Sequence, residues 1–143
     1  MMQPVPFKAR HLLRMSVQPA QRDAIKTLTE TDLRALETPN TGTLLDDLGE
    51  PVVCCGAVEM WRNRAYVWTY LSDRITARNF RHIHSWARAF LAELPYRRIE
   101  AAVDVDFEAG HRWVRSLGFT PEAAVMRAFD PAGRDHSLYA LVK

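Results

Sequence analysis

Four arginines, Arg74, Arg78, Arg81 and Arg88, are the side chains of this sequence best placed to hold an anion, because they line one side of its longest amphipathic segment. Guanidinium forks match phosphate and carboxylate oxygens. Such a stripe serves nucleic acid along its length, acidic surface on a protein partner, or, most often, only solvent. Trp86 and Phe90 fall on the opposite side of the segment, which counts against a platform for stacking single-stranded bases. His82 and His84 are two apart on a helical stretch, so they diverge by about 200° and cannot share a metal. His11, His111 and His136 have no Cys or carboxylate set at ligand spacing, and no G-x-S-x-G elbow exists for a hydrolytic serine. No metal site is therefore expected. The two cysteines, Cys54 and Cys55, are adjacent in a strand-like run and point to opposite faces, so they read as small buried hydrophobes rather than a redox pair.

These residues need a scaffold, and the 143-residue chain with 48% hydrophobic content is long enough to bury a core without metal or disulfide staples. Residues 1–143 read as a single domain, since no repeat or Pro/Gly/Ser-rich linker divides them. A formal net charge of +2 argues for no polyanionic partner by itself. No apolar run approaches the roughly 20 residues of a membrane helix, so no membrane segment is expected and the chain reads as soluble and intracellular.

Element by element, the residues from Ala9 to Leu36 carry broken helical patterning that fits two or three short helices, with Pro19 opening one and the Thr31-Asp32 pair capping another. Pro39 to Gly42 breaks the chain. Thr43 to Asp47, Pro51 to Met60 and Ala65 to Leu71 then read as an antiparallel meander, with Arg62-Asn63 as its second turn. Trp61, Trp68 and Tyr70 read as core or sheet-face residues, although an exposed Trp61 at a strand end would mark a docking surface. Ser72-Asp73 offers a cap for a long helix, Ile75 to Leu94, whose apolar stripe of Phe80, Ile83, Trp86, Phe90 and Leu91 must cover the sheet. A strand from Ile99 to Val105, a helix from Glu108 to Leu117 and strands over Glu122 to Phe129 and His136 to Val142 follow, the last two joined by the turn Asp130-Pro131-Ala132-Gly133. The order strand, helix, strand implies a parallel right-handed crossover.

The stretch from Ile99 through the short helix into Leu117-Gly118-Phe119 resembles the strand, helix and L-G-F end of the GNAT acetyltransferase superfamily, and the element order of the whole chain is similar to that fold. The resemblance implies an α/β, single-domain GNAT-like fold: a mixed twisted sheet with a central parallel strand pair and helices on both faces. It further implies a place for acetyl-CoA. The strand before the long helix splays from the next, pantetheine lies in the opening, and the pyrophosphate sits on N–H groups at the helix N-terminus, where orphan donors and the helix dipole bind anions. The superfamily's R/Q-x-x-G-x-G/A pattern falls on Arg74-Ile75-Thr76-Ala77-Arg78-Asn79, matching at Arg74 but placing Ala77 and Asn79 at the two small positions. If acetyl-CoA binds, Leu71, Arg74, Ala77, Arg78 and Asn79 are its implied ligands. The tyrosine that many members use to protonate the leaving thiolate falls on Val114, which has no proton to give. Trp113 is no substitute, and Ser116 is the nearest hydroxyl. A general base would be a carboxylate near the splayed strands. Glu59 and Asp106, with Asp104, are the candidates, each of which also reads as an exposed strand-end carboxylate.

A narrower resemblance covers Ala9 to Lys26, Val67 to Leu94 and His111 to Phe119, together with Ala132-Gly133 and the terminal strand ending at Lys143. These segments look like a family of small proteins of short-tailed bacteriophages that includes an internal virion protein and is GNAT-like in fold. That resemblance implies a virion-associated or assembly role among other phage virion proteins, located in the virion and the host cytoplasm, with no cofactor expected. The alternative is an acetyl-CoA-dependent N-acetyltransferase acting on a host or phage amine. A nucleic-acid module using the arginine stripe is the third expectation.

Overall fold

The computed structural model describes residues 2–143. Seven strands form: β1 (Gln3–Val5), β2 (Thr41–Leu45), β3 (Pro51–Trp61), β4 (Arg64–Leu71), β5 (Arg98–Asp104), β6 (Thr120–Met126) and β7 (His136–Val142). They join one mixed sheet of order β1-β2-β3-β4-β5-β7-β6, with β4 and β5 as its parallel pair. The helices are α1 (Ala9–Arg14), α2 (Arg22–Lys26), α3 (Glu30–Ala35), α4 (Ala77–Glu93) and α5 (Glu108–Ser116), with a 3₁₀ turn at Pro19–Gln21 ahead of α2. By packing, the chain divides into two units, one comprising the residues up to Val58 with Trp68–Leu94, the other Glu59–Val67 with Pro95–Lys143.

In the first unit, β1, β2 and β3 pair antiparallel, and Phe7, Leu12, Met15, Val17, Leu33 and Cys54 close a buried cluster on which Trp68 and Tyr70 pack. Phe7 meets Trp68 edge to face, with centroids 5.0 Å apart. Cys54 and Cys55 are buried free thiols, and burial pushes the Cys54 thiol up to about 12, leaving it an inert hydrophobe. Two helix starts differ from the sequence expectation. Thr29 rather than Thr31 caps α3, closing a capping box in which Thr29 Oγ1 accepts from Asp32 N–H at 3.1 Å and Asp32 Oδ2 accepts from Thr29 N–H at 2.8 Å. Thr76 rather than Ser72-Asp73 caps α4. Ser72 Oγ instead accepts from Arg74 N–H, and the Asp73 carboxylate is held by Ser16 and Arg22, so neither is available to the helix. On α4, Ile83 and Leu91 are buried while Arg78, Arg81 and Arg88 are exposed, as the two-faced pattern requires. Gly42 of β2 lets the Trp86 indole approach, since a Cβ there would lie 2.8 Å from Trp86 Cζ2.

In the second unit, Arg64, Ala65 and Tyr66 of β4 pair with Arg98, Ile99 and Glu100 of β5. β5 then pairs antiparallel with β7 over seven residues, from Arg98↔Val142 to Asp104↔His136, and β6 forms the outer edge on β7 through two register shifts. The closing turn is the one expected, with Gly133 N–H donating to Asp130 O at 2.9 Å. β6 ends at Met126 rather than Phe129 because Ala128, at φ 49, has already turned the chain. Gly118, at φ 101, terminates α5 in the left-handed conformation that glycine adopts without strain.

Candidate functional site

Backbone groups alternate along a strand, so each residue of β4 presents its N–H and C=O to one edge only. Asn63 O accepts from Arg98 N–H at 2.9 Å, which assigns the odd-numbered residues to the edge that carries the parallel ladder. Ser72 N–H reaches Val52 O at 2.9 Å across the other edge, as the alternation demands. The ladder with β5 stops at Tyr66↔Glu100, and beyond it Thr69 and Leu71 present their polar groups on the same edge. In an acetyl-CoA site of the kind the resemblance implies, this is where pantetheine amides would pair. Here the chain's own residues take those positions. Gln21 Nε2 donates to Thr69 O at 2.6 Å, Leu71 N–H donates to Gln21 Oε1 at 3.0 Å, and Gln18 N–H donates to Leu71 O at 2.9 Å. Gln18 Nε2 also donates to Gln21 Oε1 at 2.9 Å, and Val17 bridges antiparallel to Ser72. A primary carboxamide carries one acceptor and two donors, so Gln21 reproduces what a peptide-like amide offers a strand edge.

The cofactor candidates sit where that edge turns into α4. Leu71 is buried, with both backbone groups engaged as above. Arg74, Ala77 and Arg78 are exposed. Asn79 is half-buried, and its N–H, a donor at the third helical position, goes to Thr76 Oγ1 at 3.1 Å. A phosphate at this terminus would compete with Thr76 for that donor and would face the Asn79 side chain where the superfamily pattern has a small residue.

The remaining catalytic candidates lie in the second unit. Val114 is buried on α5 and carries no titratable group, and Oγ of the exposed Ser116 donates within the helix to Trp113 O at 2.6 Å. The two base candidates are not brought together. The two-residue turn at Arg62-Asn63 sets Trp61 opposite Arg64 and thereby Glu59 opposite Tyr66, which is in register with Glu100. Asp106 lies in the turn beyond the end of β5, whose last residue, Asp104, is four strand positions and roughly 13 Å past Glu100. Glu59 is exposed, and Asp106 lies 3.7 Å from an Arg134 nitrogen with most of its carboxylate in solvent. Asp104 is held below the usual carboxylate range chiefly by the Arg134 guanidinium that grips it, which makes it a weak base.

Two arrangements here were invisible in the sequence. His111 Nε2 lies 3.0 Å and 3.2 Å from the Asp104 and Val105 carbonyl oxygens, which can only accept, so Nε2 carries the proton. Nδ1 is therefore the acceptor for the buried Tyr139 hydroxyl at 2.7 Å. Secondly, ligand-type atoms of Asp104, Asp130 and His136 lie within 4.8 Å of one another, brought together by the return of β7 alongside β5. They are engaged internally: Asp104 by Arg134, and Asp130 by His136 Nε2 at 3.1 Å and by the N–H groups of Ala132 and Arg134. A cation there would have to displace the Arg134 guanidinium.

No protein-family model matches the sequence, and no curated protein matches it. Solved structures do. Ard1 from Thermoplasma volcanium is 15% identical with a TM-score of 0.75, covering 99% of this chain and 97% of its own. The ribosomal-protein-S18-alanine N-acetyltransferase from Escherichia coli is 13% identical with a TM-score of 0.73, covering 99% and 94%. A GNAT-superfamily phosphinothricin acetyltransferase from Sinorhizobium meliloti, solved with AcCoA, is 16% identical with a TM-score of 0.71, covering 99% and 88%. The chain therefore has the fold of the GNAT acetyltransferases. At these identities the likeness establishes architecture, and the chemistry rests on the residues.

Proposed function

We propose that this chain is a bacteriophage virion-associated or assembly protein that keeps an acetyltransferase fold without its chemistry and works through contacts with other virion proteins, in the virion and the host cytoplasm. The observation that carries the non-catalytic reading is the occupied edge of β4, where Gln21 and Gln18 satisfy the backbone groups a pantetheine arm would use. Val114 at the acid position and the Thr76 cap on Asn79 N–H point the same way. The phage assignment is supported by the resemblance over Ala9 to Lys26, Val67 to Leu94 and His111 to Phe119. Titration calorimetry with acetyl-CoA tests the first part: no heat is expected up to millimolar ligand, whereas micromolar binding abolished by Arg74→Ala with Arg78→Ala would overturn it. Mass spectrometry of purified virions tests the second, and absence of the protein from them would remove a permanent virion role.

A second reading, an acetyl-CoA-dependent N-acetyltransferase of a host or phage amine, is favoured by the ladder's end at Tyr66↔Glu100 while β4 runs on to Leu71. It requires Gln21 to yield its place to the cofactor, with Leu71, Arg74, Ala77, Arg78 and Asn79 around it and Glu59 or Asp106 as base. Acetyl-CoA hydrolysis or transfer to a polyamine panel, lost in Glu59→Gln or Asp106→Asn, would establish it.

A further inference from the structure

At the N-terminal end of the parallel pair the second unit holds an open groove of about 550 Å³. Four guanidinium groups line it, those of Arg62, Arg64, Arg97 and Arg98, against the single carboxylate of Glu100. That carboxylate is already engaged. Arg64 donates to both of its oxygens, at 2.5 and 3.0 Å, and Arg98 donates to one of them at 2.7 Å while its other nitrogens reach Glu122. Arg62 and Arg97 are exposed and have no carboxylate partner among the described residues. The wall is Trp61, 60% exposed, with the Arg64 guanidinium 4.4 Å over its ring. This cation–π contact orders the indole while more than half of the residue stays exposed. Leu138 and Val142 add apolar surface, Val142 being 56% exposed.

We propose that this groove binds one nucleotide unit of a single-stranded nucleic acid, its phosphates on Arg62 and Arg97 and its base stacked on Trp61. The chemistry selects this class over the alternatives. Two guanidinium forks without carboxylate partners donate to phosphate or carboxylate alike, and the ordered indole beside them tips the choice to a nucleotide, since every base has a face to stack on it. The volume lies within the usual range for small-ligand sites, and the groove is open rather than enclosed, which suits a unit of a continuing strand better than a free nucleotide. The stripe on α4 plays no part, since its aromatic residues lie on the side of the helix away from the arginines.

Fluorescence anisotropy with a fluorescein-labelled 12-residue oligothymidylate, over a series of salt concentrations, tests this on the intact chain. Trp61→Ala is expected to weaken binding about 10-fold or more, the loss typical of one stacking platform, while Trp61→Phe stays within a few-fold. Arg62→Ala with Arg97→Ala should lower the salt slope by about 1.4, two contacts at roughly 0.7 each for a single strand. Arg81→Ala with Arg88→Ala should change neither, and thermal melts confirm that each variant is folded. The proposal is overturned if the oligonucleotide does not bind, if binding ignores Trp61→Ala, or if it depends on Arg81 and Arg88 instead. Displacement by 5′-AMP or poly-glutamate at concentrations comparable to unlabelled oligonucleotide would likewise overturn it, in favour of a free nucleotide or an acidic peptide respectively.

Discussion

Replacing Gln21 by alanine removes the side chain that occupies the β5-facing edge of β4 beyond the end of the ladder, and the structure sets the size of the effect. Two of its hydrogen bonds go to backbone groups, Thr69 O at 2.6 Å and Leu71 N–H at 3.0 Å. A neutral hydrogen bond contributes about 1 kcal/mol net, and a donor left dry costs about 1–3 kcal/mol. Gln21 is half-buried and water can reach the vacated edge, so the low end applies and the loss is about 1–2 kcal/mol. For a chain of this size that is roughly 3–6 °C in melting temperature. The local signature is sharper than the global one, because the Leu71 amide hydrogen exchanges with solvent once its acceptor is gone. Hydrogen exchange read by NMR should show the Leu71 amide accelerated about 10-fold or more in Gln21→Ala, while amides of the β5–β7 ladder change only by the global destabilisation. Gln21→Glu separates shape from chemistry: a carboxylate can accept from Leu71 N–H but cannot donate to Thr69 O. It should therefore destabilise at neutral pH at least as much as alanine. The reasoning fails if Leu71 exchange is unchanged in Gln21→Ala, or if Gln21→Glu is as stable as the parent protein at pH 7.

Three further outcomes follow from other parts of the molecule. Tyr139→Phe strips the half-buried His111 Nδ1 of its donor and should cost about 1–2 kcal/mol by denaturant titration, with His111→Ala adding less than its own full cost in the double variant. Gly42→Ala places a methyl 2.8 Å from Trp86 Cζ2 and should cost about 1–3 kcal/mol, most of it recovered when Trp86 is shortened to leucine. Glu100 and Asp104 are both held below their ordinary carboxyl range, the first chiefly by Arg64 and the second chiefly by Arg134. Their contributions are thus fully present above the unfolded values, 4.5 for Glu100 and 3.8 for Asp104, and are lost as pH falls through the lower folded values. Melting curves from pH 7 to pH 3 should show the stability gap between the parent and Glu100→Gln constant down to about pH 5 and closing below it, and a gap that widened on acidification would contradict the assigned sign.

Periodicity carried the fold because burial writes itself into sequence at fixed spacing. Ile99, Tyr139 and Ile83 are fully or nearly fully buried, each within the strand or helix that its pattern placed. Helix starts were less legible. Thr29 caps α3 through a local box with Asp32, two positions ahead of the expected Thr31, whereas at α4 Asp73 is drawn off by Ser16 and Arg22, which lie 50 or more residues away in the chain. The candidate site divides along the same line. Val114, Ala77 and Asn79 could be read one by one, because each replaces a known residue type at a counted position. Gln21 could not. It belongs to no motif, its neighbours Pro19 and Arg22 mark only a helix start, and its role exists only because the segment from Ser16 to Gln21 lies antiparallel along the end of β4. Edge occupancy is a property of pairing, and pairing between remote segments leaves no spacing to count. The arginines show the converse. The stripe on α4 is conspicuous because its spacing is regular, whereas Arg62, Arg64, Arg97 and Arg98 come from a turn and two strand starts and become one cationic groove only when β4 and β5 fall into register at Arg64↔Arg98.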